Sequence, residues 1–228
     1  MRLKGKHILV SGGHGRLGRE LIPLFKEEGA IVMAPARGEW DINLRPCGLA
    51  MPSKPDIIVH AAAYTDVAAA ETERYECQYT NIEGTQRVSK LAHDLQAKLV
   101  YISSDYVNVE PMGFYAFTKK AGEAFVSRRK GLIIRTSFKP RGMWGEDKLR
   151  GVFHPVYTNA DWVDVIAERI TEAICQDLTG IVNIGTERKT LKDLAVQEYP
   201  EVQEIPVRDA DHKLGYIYPR DTCMELTI

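Results

Sequence analysis

The sequence has little surplus charge and no long apolar run. Its 228 residues include 30 Lys and Arg against 31 Asp and Glu, so no basic excess indicates nucleic acid or an anionic membrane surface as a partner. The apolar run near the start, His7–Val10, is too short for a signal-peptide core, and no stretch approaches the length of a membrane span. We therefore predict a cytoplasmic protein that binds neither nucleic acid nor a membrane.

Cysteine is scarce, and its spacing argues against a metal site. The sequence has no C-x-x-C pair, and His60 and His154 do not form a spaced set with the cysteines. Scattered reduced thiols are usual in cytosolic proteins, so we predict no metal ligands here. The four cysteines are Cys47, Cys77, Cys175 and Cys223.

Short apolar runs alternate with amphipathic helical patterns along the whole chain. This alternation predicts stacked β-α-β units and an α/β fold with a doubly wound parallel sheet of the Rossmann type. We expect a nucleotide-binding region over 1–137, and a mixed region over 138–228 that completes the sheet and forms a reduced substrate lobe. The predicted strands are His7–Val10, Ala30–Ala34, Asp56–His60, Lys98–Ser103, Leu132–Arg135 and Ile181–Ile184. The predicted helices are Arg19–Glu28, Thr80–Gln96, Tyr115–Arg128, Asp161–Gln176 and Leu191–Gln197.

A glycine-rich turn follows the first predicted strand. It fits G-x-G-x-x-G when read from Gly13, and the wider spacing Gly12-x-x-Gly15-x-x-Gly18. Glycines let the backbone approach phosphates, and a helix N-terminus offers free N–H groups with a partial positive charge. Because the turn joins the first strand to the first helix, we predict a dinucleotide pyrophosphate site there.

The end of the second predicted strand carries an arginine where an acid would read a ribose 2′-hydroxyl. Ala34–Ala36 contains no acidic residue, and Arg37 follows it. An arginine at this point suits a 2′-phosphate, and Arg16 in the glycine turn could approach the same group. We therefore favour NADP(H), while Glu39 and Asp41 close by leave NAD(H) open.

A tyrosine and a lysine lie one helical turn apart in YAFTK, at Tyr115 and Lys119. Positions i and i+4 share a helix face, and an ammonium beside a phenol lowers the phenol pKa. The helix follows the strand end Ser103–Asp105, where the Ser104 hydroxyl could hydrogen-bond a substrate carbonyl. We predict a catalytic set of Ser104, Tyr115 and Lys119, with Tyr115 as the proton donor.

In this order and spacing, the motifs resemble the extended short-chain dehydrogenase/reductases of the NAD-dependent epimerase/dehydratase superfamily. Within them, the chain is similar to the dTDP-4-dehydrorhamnose reductase branch. HAAAYTDV, ISSDYV and the tyrosine–lysine pair together are far more specific than any one of them. The matching segments are Gly12–Gly18, Glu39–Asn43, Asp56–Glu71, Asn81–Thr85, Val100–Val107, Tyr115–Glu123 and Ile133–Ser137, with weaker likeness in Tyr157–Ile170, Gly180–Gly185 and Pro219–Leu226.

The resemblance implies an NAD(P)-dependent oxidoreductase that reduces the 4-keto group of a nucleotide-linked deoxysugar. Hydride would come from the nicotinamide and a proton from Tyr115, while Lys119 would bind the nicotinamide ribose and tune Tyr115. The implied cofactor contacts are Gly12, Gly15, Arg16, Leu17 and Gly18 at the pyrophosphate, Asp41 and Ile42 at the adenine, and Ala61, Ala62, Ala63, Tyr64 and Thr65 at the nicotinamide.

Two segments, Asn108–Phe114 and Phe138–Pro155, are shorter than in the family that the chain resembles. Both regions help to build the sugar-nucleotide pocket in that family, which leaves the substrate open and allows a homo-oligomer to complete the pocket. One alternative is a sugar-nucleotide epimerase or epimerase/reductase, which would retain NAD. Another is a non-catalytic NADP-binding regulatory subunit, although such relatives tend to lose the tyrosine or the lysine that this sequence keeps.

Overall fold

The computed structural model describes residues 2–44, 51, 53–127, 129–209 and 217–227. Its strands are β1 (His7–Ser11), β2 (Ile31–Met33), β3 (Ile57–His60), β4 (Lys98–Ile102), β5 (Leu132–Arg135), β6 (Phe138–Lys139), β7 (Gly151–His154), β8 (Tyr157–Thr158), β9 (Asp161–Trp162), β10 (Gly180–Asn183), β11 (Lys189–Thr190) and β12 (Gln203–Pro206). Its α-helices are α1 (Arg16–Glu27), α2 (Arg74–Gln78), α3 (Thr85–Asp94), α4 (Phe114–Glu123), α5 (Val163–Cys175) and α6 (Leu191–Ala195).

Six parallel strands form the central sheet in the order β2-β1-β3-β4-β5-β10. This arrangement confirms the predicted α/β fold with a parallel sheet. The chain order reverses between β1 and β3, and ligands of such sheets bind outside the carboxyl ends of the strands at the reversal. The register of these two strands pairs Ser11 with His60 at that end.

Helices cover both faces of the sheet. Alternate strand residues point to opposite faces, and the apolar side chains on each face pack against different helices. On one face, α1 and α5 pack against Ile8 and Val10 of β1. On the other face, Leu9 and Ile58 pack with Val88 of α3. Strands buried on both sides need apolar residues at nearly every position, which explains the continuous apolar runs.

The first helix begins inside the glycine turn, earlier than the predicted start at Arg19. Leu17 and Gly18 are buried in its first turn, and Pro23 lies on its exposed side. The helix ends near the predicted Gly29, whose φ of 86° is a left-handed conformation that glycine adopts at little cost. The N-terminus of α1 therefore points directly at the carboxyl end of the sheet.

The predicted helix Thr80–Gln96 is not one regular helix. A π-helical turn, Tyr79–Gly84, joins α2 to α3, and Asn81 within it is buried. Hydrophobic periodicity does not reveal a π-turn, since the extra residue shifts the pattern without breaking it. The next predicted helix, which extends to Arg128, ends at Glu123 in the structure, and Arg128 itself lies outside the described residues.

A third apolar cluster lies apart from the central sheet. Its centre is an edge-on contact between Trp144 and Trp162, with ring centroids 5.8 Å apart. The strand pairs β6–β9, β7–β12 and β8–β11 were not predicted. Strand β9 takes the first two residues of the predicted helix Asp161–Gln176, which begins at Val163 in the structure. The segment 217–227 returns to the sheet, where the Thr227 amide donates to the Asn183 carbonyl at 2.9 Å. Within the described ranges, no helix combines the length and apolar character that crossing a membrane requires.

Candidate active site

A cavity of about 910 Å³ opens at the carboxyl ends of β1, β3, β4 and β5. All residues predicted for the site line it: Gly12, Gly15, Arg16, Leu17, Gly18, Arg37, Asp41, Ile42, Ala61, Ala62, Ala63, Tyr64, Thr65, Ser104, Tyr115 and Lys119. The fold thus brings these separate segments to one place. Their contacts to a ligand stay predictions.

The glycine turn forms a cradle that side chains would fill. Gly12 has a φ of 72°, and a Cβ there would lie 2.6 Å from the Ala62 amide nitrogen. A Cβ on Gly18 would lie 2.4 Å from the Gly12 carbonyl oxygen, to which the Gly15 amide donates at 2.9 Å. No side chain caps α1, and no acid lies in its first turn. These residues fit a dinucleotide pyrophosphate, which backbone N–H groups and the helix dipole would hold.

The two acids that leave NAD(H) open are both engaged by the protein. Glu39 accepts a hydrogen bond from the Ala36 amide at 2.7 Å. Asp41 lies 3.3 Å from Nε of Arg37, whose side chain is 81% exposed. Arg16, in the glycine turn, is exposed and lines the same cavity. Two arginines that line the cavity are thus exposed to solvent, and one of them, Arg37, is paired with Asp41.

Tyr115 and Lys119 lie on one face of α4, opposite the end of β4. Ser104 caps the short 3₁₀ helix Asp105–Asn108, and its Oγ accepts from the Tyr106 amide at 3.2 Å. The Lys119 ammonium is buried 4.4 Å above the ring of Tyr101. This contact replaces part of the hydration that the cation loses.

Burial sets the protonation of these groups more than their mutual charge does. The YxxxK spacing predicts a lowered pKa for Tyr115, but the structure shows a raised one, because desolvation of the phenol dominates and the charge of Asp105 adds to it. The Ser104 side chain acts in the other direction and lowers the pKa of the phenol. Burial lowers the pKa of Lys119 to about 7, against the opposing charge of Glu123. The phenol therefore keeps its proton near neutrality.

Asn81, which is not predicted as a site residue, ties the cofactor side of the cavity to α4. Its Oδ1 accepts from the Tyr64 amide at 2.9 Å, and its Nδ2 donates to Thr118 Oγ1 at 3.0 Å. The Thr118 hydroxyl donates to the Tyr115 carbonyl at 2.7 Å. Asn81 begins one of the segments on which the family resemblance rests, and that is the one sequence signal that could have found it.

His60 is a buried structural histidine at the end of β3. Its Nδ1 lies 2.7 Å from Ser11 Oγ, and its Nε2 lies 3.1 Å from Thr85 Oγ1. Burial, helped by the charge of Lys119, lowers the pKa of His60 to about 3. Among the residues that the structure describes, no cluster of His, Cys, Asp or Glu could hold a metal ion, and Cys47 lies outside them.

Solved structures similar to this chain share its whole fold. A dTDP-4-dehydrorhamnose reductase from Bacillus anthracis in complex with NADP superposes with a TM-score of 0.82 at 22% identity, over 98% of this chain and 90% of that one. A hypothetical dTDP-4-dehydrorhamnose reductase from Sulfolobus tokodaii gives a TM-score of 0.76 at 27% identity, over 95% and 90%. These likenesses confirm the Rossmann-type fold.

Sequence relatives match a part of their own length. A dTDP-4-dehydrorhamnose reductase from Streptomyces griseus is 34% identical over 151 residues, which are 57% of this chain and 49% of that protein. One from Mycobacterium tuberculosis is 26% identical over 163 residues, which are 63% and 54%. The chain thus spans about half the length of these relatives. The family model described as RmlD substrate binding domain matches residues 6–172, and the chain therefore belongs to that family.

Proposed function

We propose that this chain is an NAD(P)H-dependent reductase of a 4-keto deoxysugar linked to a nucleotide, with NADP(H) as the favoured cofactor. The observation that carries the proposal is the joint presence of the glycine cradle and of Ser104, Tyr115 and Lys119 in one cavity. The names of the Streptomyces griseus and Mycobacterium tuberculosis relatives, and the NADP in the Bacillus anthracis structure, support it.

The cofactor contacts that the family resemblance implies fit the shape of the cavity. Gly12, Gly15 and Gly18 leave room for a pyrophosphate, and the first N–H groups of α1, at Arg16 and Leu17, face it. Arg16 and Arg37 would bind the 2′-phosphate, with Asp41 and Ile42 beside the adenine. On the nicotinamide side, we assign Ala61, Ala62, Ala63, Tyr64 and Thr65.

The chemistry divides between cofactor and chain. A nicotinamide dinucleotide bound in this cavity supplies the hydride. Tyr115, whose phenol stays protonated, donates a proton to the carbonyl oxygen as negative charge develops on it. The Ser104 hydroxyl donates a hydrogen bond to the same oxygen and orients it. Lys119 binds the nicotinamide ribose, and Asn81 with Thr118 holds α4 in place.

The second half of the chain supplies the substrate side of the cavity. Phe138, Lys139, Pro140 and Met143 line it, next to the cluster that contains Trp144. We assign 1–137 to nucleotide binding, and 138–228 to completion of the sheet and to a reduced substrate lobe. The described cysteines are free thiols, which favours a cytoplasmic location.

The test is a screen of 4-keto nucleotide sugars in which NADPH oxidation is followed by absorbance. We expect at least one dTDP-linked 4-keto-6-deoxysugar to be reduced. Tyr115→Phe should abolish turnover and keep NADPH binding, while Tyr199→Phe, outside the cavity, should change neither. Full activity in Tyr115→Phe, or no NADPH binding by the wild type, would overturn the proposal. Isomerised product without NADPH consumption would indicate an epimerase instead.

A further inference from the structure

The single proton of the Ser104 hydroxyl is already committed in this structure. Ser104 Oγ donates to Asp105 Oδ1 at 3.1 Å. A hydroxyl carries one donor, so this proton cannot at the same time point at a substrate carbonyl. The Tyr106 amide occupies one acceptor position of the same oxygen at 3.2 Å. Ser104 can therefore serve as a donor in the reaction only if Asp105 releases that proton.

Asp105 is held in a polar pocket that faces the cavity. It is 2% exposed, and its amide donates to the Thr136 carbonyl at 3.2 Å. The Thr222 side chain, from the segment 217–227, lowers the pKa of its carboxyl group, and the Thr222 hydroxyl donates to Thr158 Oγ1 at 3.1 Å. Among the residues that the structure describes, Lys139 of β6 and Tyr115 of α4 are charged or titratable groups that interact with Asp105 from the elements packed around it.

The surroundings of Asp105 allow both of its protonation states near neutrality. Burial raises the pKa of Asp105 to about 6, whereas the Thr222 side chain and the charge of Lys139 lower it. A neutral carboxyl group is a donor, and an ionised one is an acceptor only. The bond between Asp105 and Ser104 can therefore run in either direction.

We propose that Asp105 is a positioning residue that sets the direction in which the Ser104 hydroxyl donates. When Asp105 is neutral, it donates to Ser104 Oγ, and the Ser104 proton is free for the substrate carbonyl. When Asp105 is ionised, it captures that proton, and Ser104 no longer orients the carbonyl. This role for Asp105 rests on the proposed reductase activity, in which Ser104 contacts the reacting oxygen.

The first measurement needs neither cofactor nor substrate. Infrared difference spectra of the whole chain, wild type minus Asp105→Asn, should isolate one carboxyl C=O band that titrates with a midpoint near pH 6. Thr222→Val and Lys139→Met each remove an influence that lowers the pKa of Asp105, so both should move the midpoint upward. A wild-type midpoint below about pH 4, the range of a free aspartate, would overturn the proposal.

The second measurement is single-turnover NADPH oxidation as a function of pH. In the wild type, the rate should fall about tenfold for each pH unit above the midpoint. Asp105→Asn should flatten this limb, because its amide can donate to Ser104 at every pH. Steady-state assays should give the same KM for NADPH in this variant as in the wild type. Thr222→Val should shift the limb upward, in step with the infrared midpoint.

The two measurements separate the possible failures. A limb with a midpoint near pH 6 that persists in Asp105→Asn, or that does not move in Thr222→Val, contradicts the role of Asp105 while the reductase activity stands. A limb near pH 7 that is the same in all variants belongs to Lys119. If the carboxyl group titrates as expected but the chain oxidises NADPH with none of the 4-keto sugars, the result contradicts the proposed function instead. If Asp105→Asn fails to fold, Thr222→Val and Lys139→Met still test the role of Asp105. An upward shift of the limb in both variants supports it, and an unchanged limb contradicts it.

Discussion

Ser11 Oγ and His60 Nδ1 lie 2.7 Å apart, and this buried contact joins the carboxyl ends of β1 and β3. The other ring nitrogen of His60 reaches Thr85 on α3. One imidazole thus connects two strands and a helix at the point where the chain order of the sheet reverses. In the neutral ring, one nitrogen carries a proton and the other accepts a hydrogen bond from a hydroxyl. Protonation would put an N–H on the accepting nitrogen, and that hydrogen bond would be lost.

Acid should therefore destabilise the chain through His60. Its pKa is about 3 in the folded chain and 6.5 in a free histidine. The unfolded chain binds the proton between these values, so the free energy of unfolding falls as the pH decreases from about 6.5 towards 3. Urea unfolding at about pH 7 and about pH 5 measures this loss. His60→Gln, which does not titrate, should lose less. Protonation of Asp105 changes the free energy of unfolding in the opposite direction, but Asp105 is present in both the wild type and His60→Gln. Equal losses of free energy of unfolding in the two proteins would therefore show that His60 does not cause the effect.

Gly18→Ala should destabilise the chain, because its Cβ would lie 2.4 Å from the Gly12 carbonyl oxygen. Relieving such a contact requires backbone shifts that cost about 1–3 kcal/mol. Gly38→Ala is the matched control, since a Cβ there meets nothing within 4 Å. Denaturant unfolding should give a change of at most about 0.5 kcal/mol for the control. Equal stability of the two variants would mean that the turn can relax.

Arg37→Ala should weaken NADPH binding and leave NADH binding nearly unchanged. Losing one charge-assisted contact to a 2′-phosphate should raise the Kd for NADPH by about tenfold or more. Arg19→Ala, an exposed arginine on α1 outside the cavity, is the control. Fluorescence titration with both nucleotides measures the ratio. Equal weakening of NADPH and NADH by Arg37→Ala would remove the reason to favour NADP(H).

Lys119→Met should stabilise the chain and abolish its activity. The pKa of Lys119 is about 7 in the folded chain against 10.5 in a free lysine. The wild type therefore loses stability as the pH falls from about 10.5 to 7, and a methionine does not. Thermal unfolding near pH 7 should show a higher midpoint for the variant, and the difference should shrink at higher pH. A lower midpoint would mean that the contact with the Tyr101 ring outweighs the burial of the charge.

Much of the candidate site could be predicted because its residues follow strands. The glycine turn after β1, Ala61–Ala63 after β3 and Ser104 after β4 all lie at one edge of a parallel sheet by topology alone. Tyr115 and Lys119 could also be predicted, because their spacing places both side chains on one face of a helix. Each of these signals is local in the sequence, and the fold brings the residues that carry them into one cavity.

The rest depended on features without a local signal. The sign of the pKa shift at Tyr115 depends on how far the phenol is desolvated, which the YxxxK spacing does not encode. Strands as short as β6 and β8 have no measurable period. The Thr222 side chain, 117 positions along the sequence from Asp105, lowers the pKa of that carboxyl group, and neither segment carries a sequence signal that predicts the other.

The π-turn Tyr79–Gly84 makes this part of the protein sensitive to length rather than to composition. Removing one residue from the turn would restore ordinary α-helical winding, with a rotation of about 100° between α2 and α3. The amide of Asn81 would then leave both Tyr64 and Thr118, although every apolar contact of α3 could persist. A deletion there should therefore give a folded protein in which the cofactor side of the cavity and α4 are no longer aligned with each other. A single substitution at the same positions keeps the number of residues in the turn and should not have this effect.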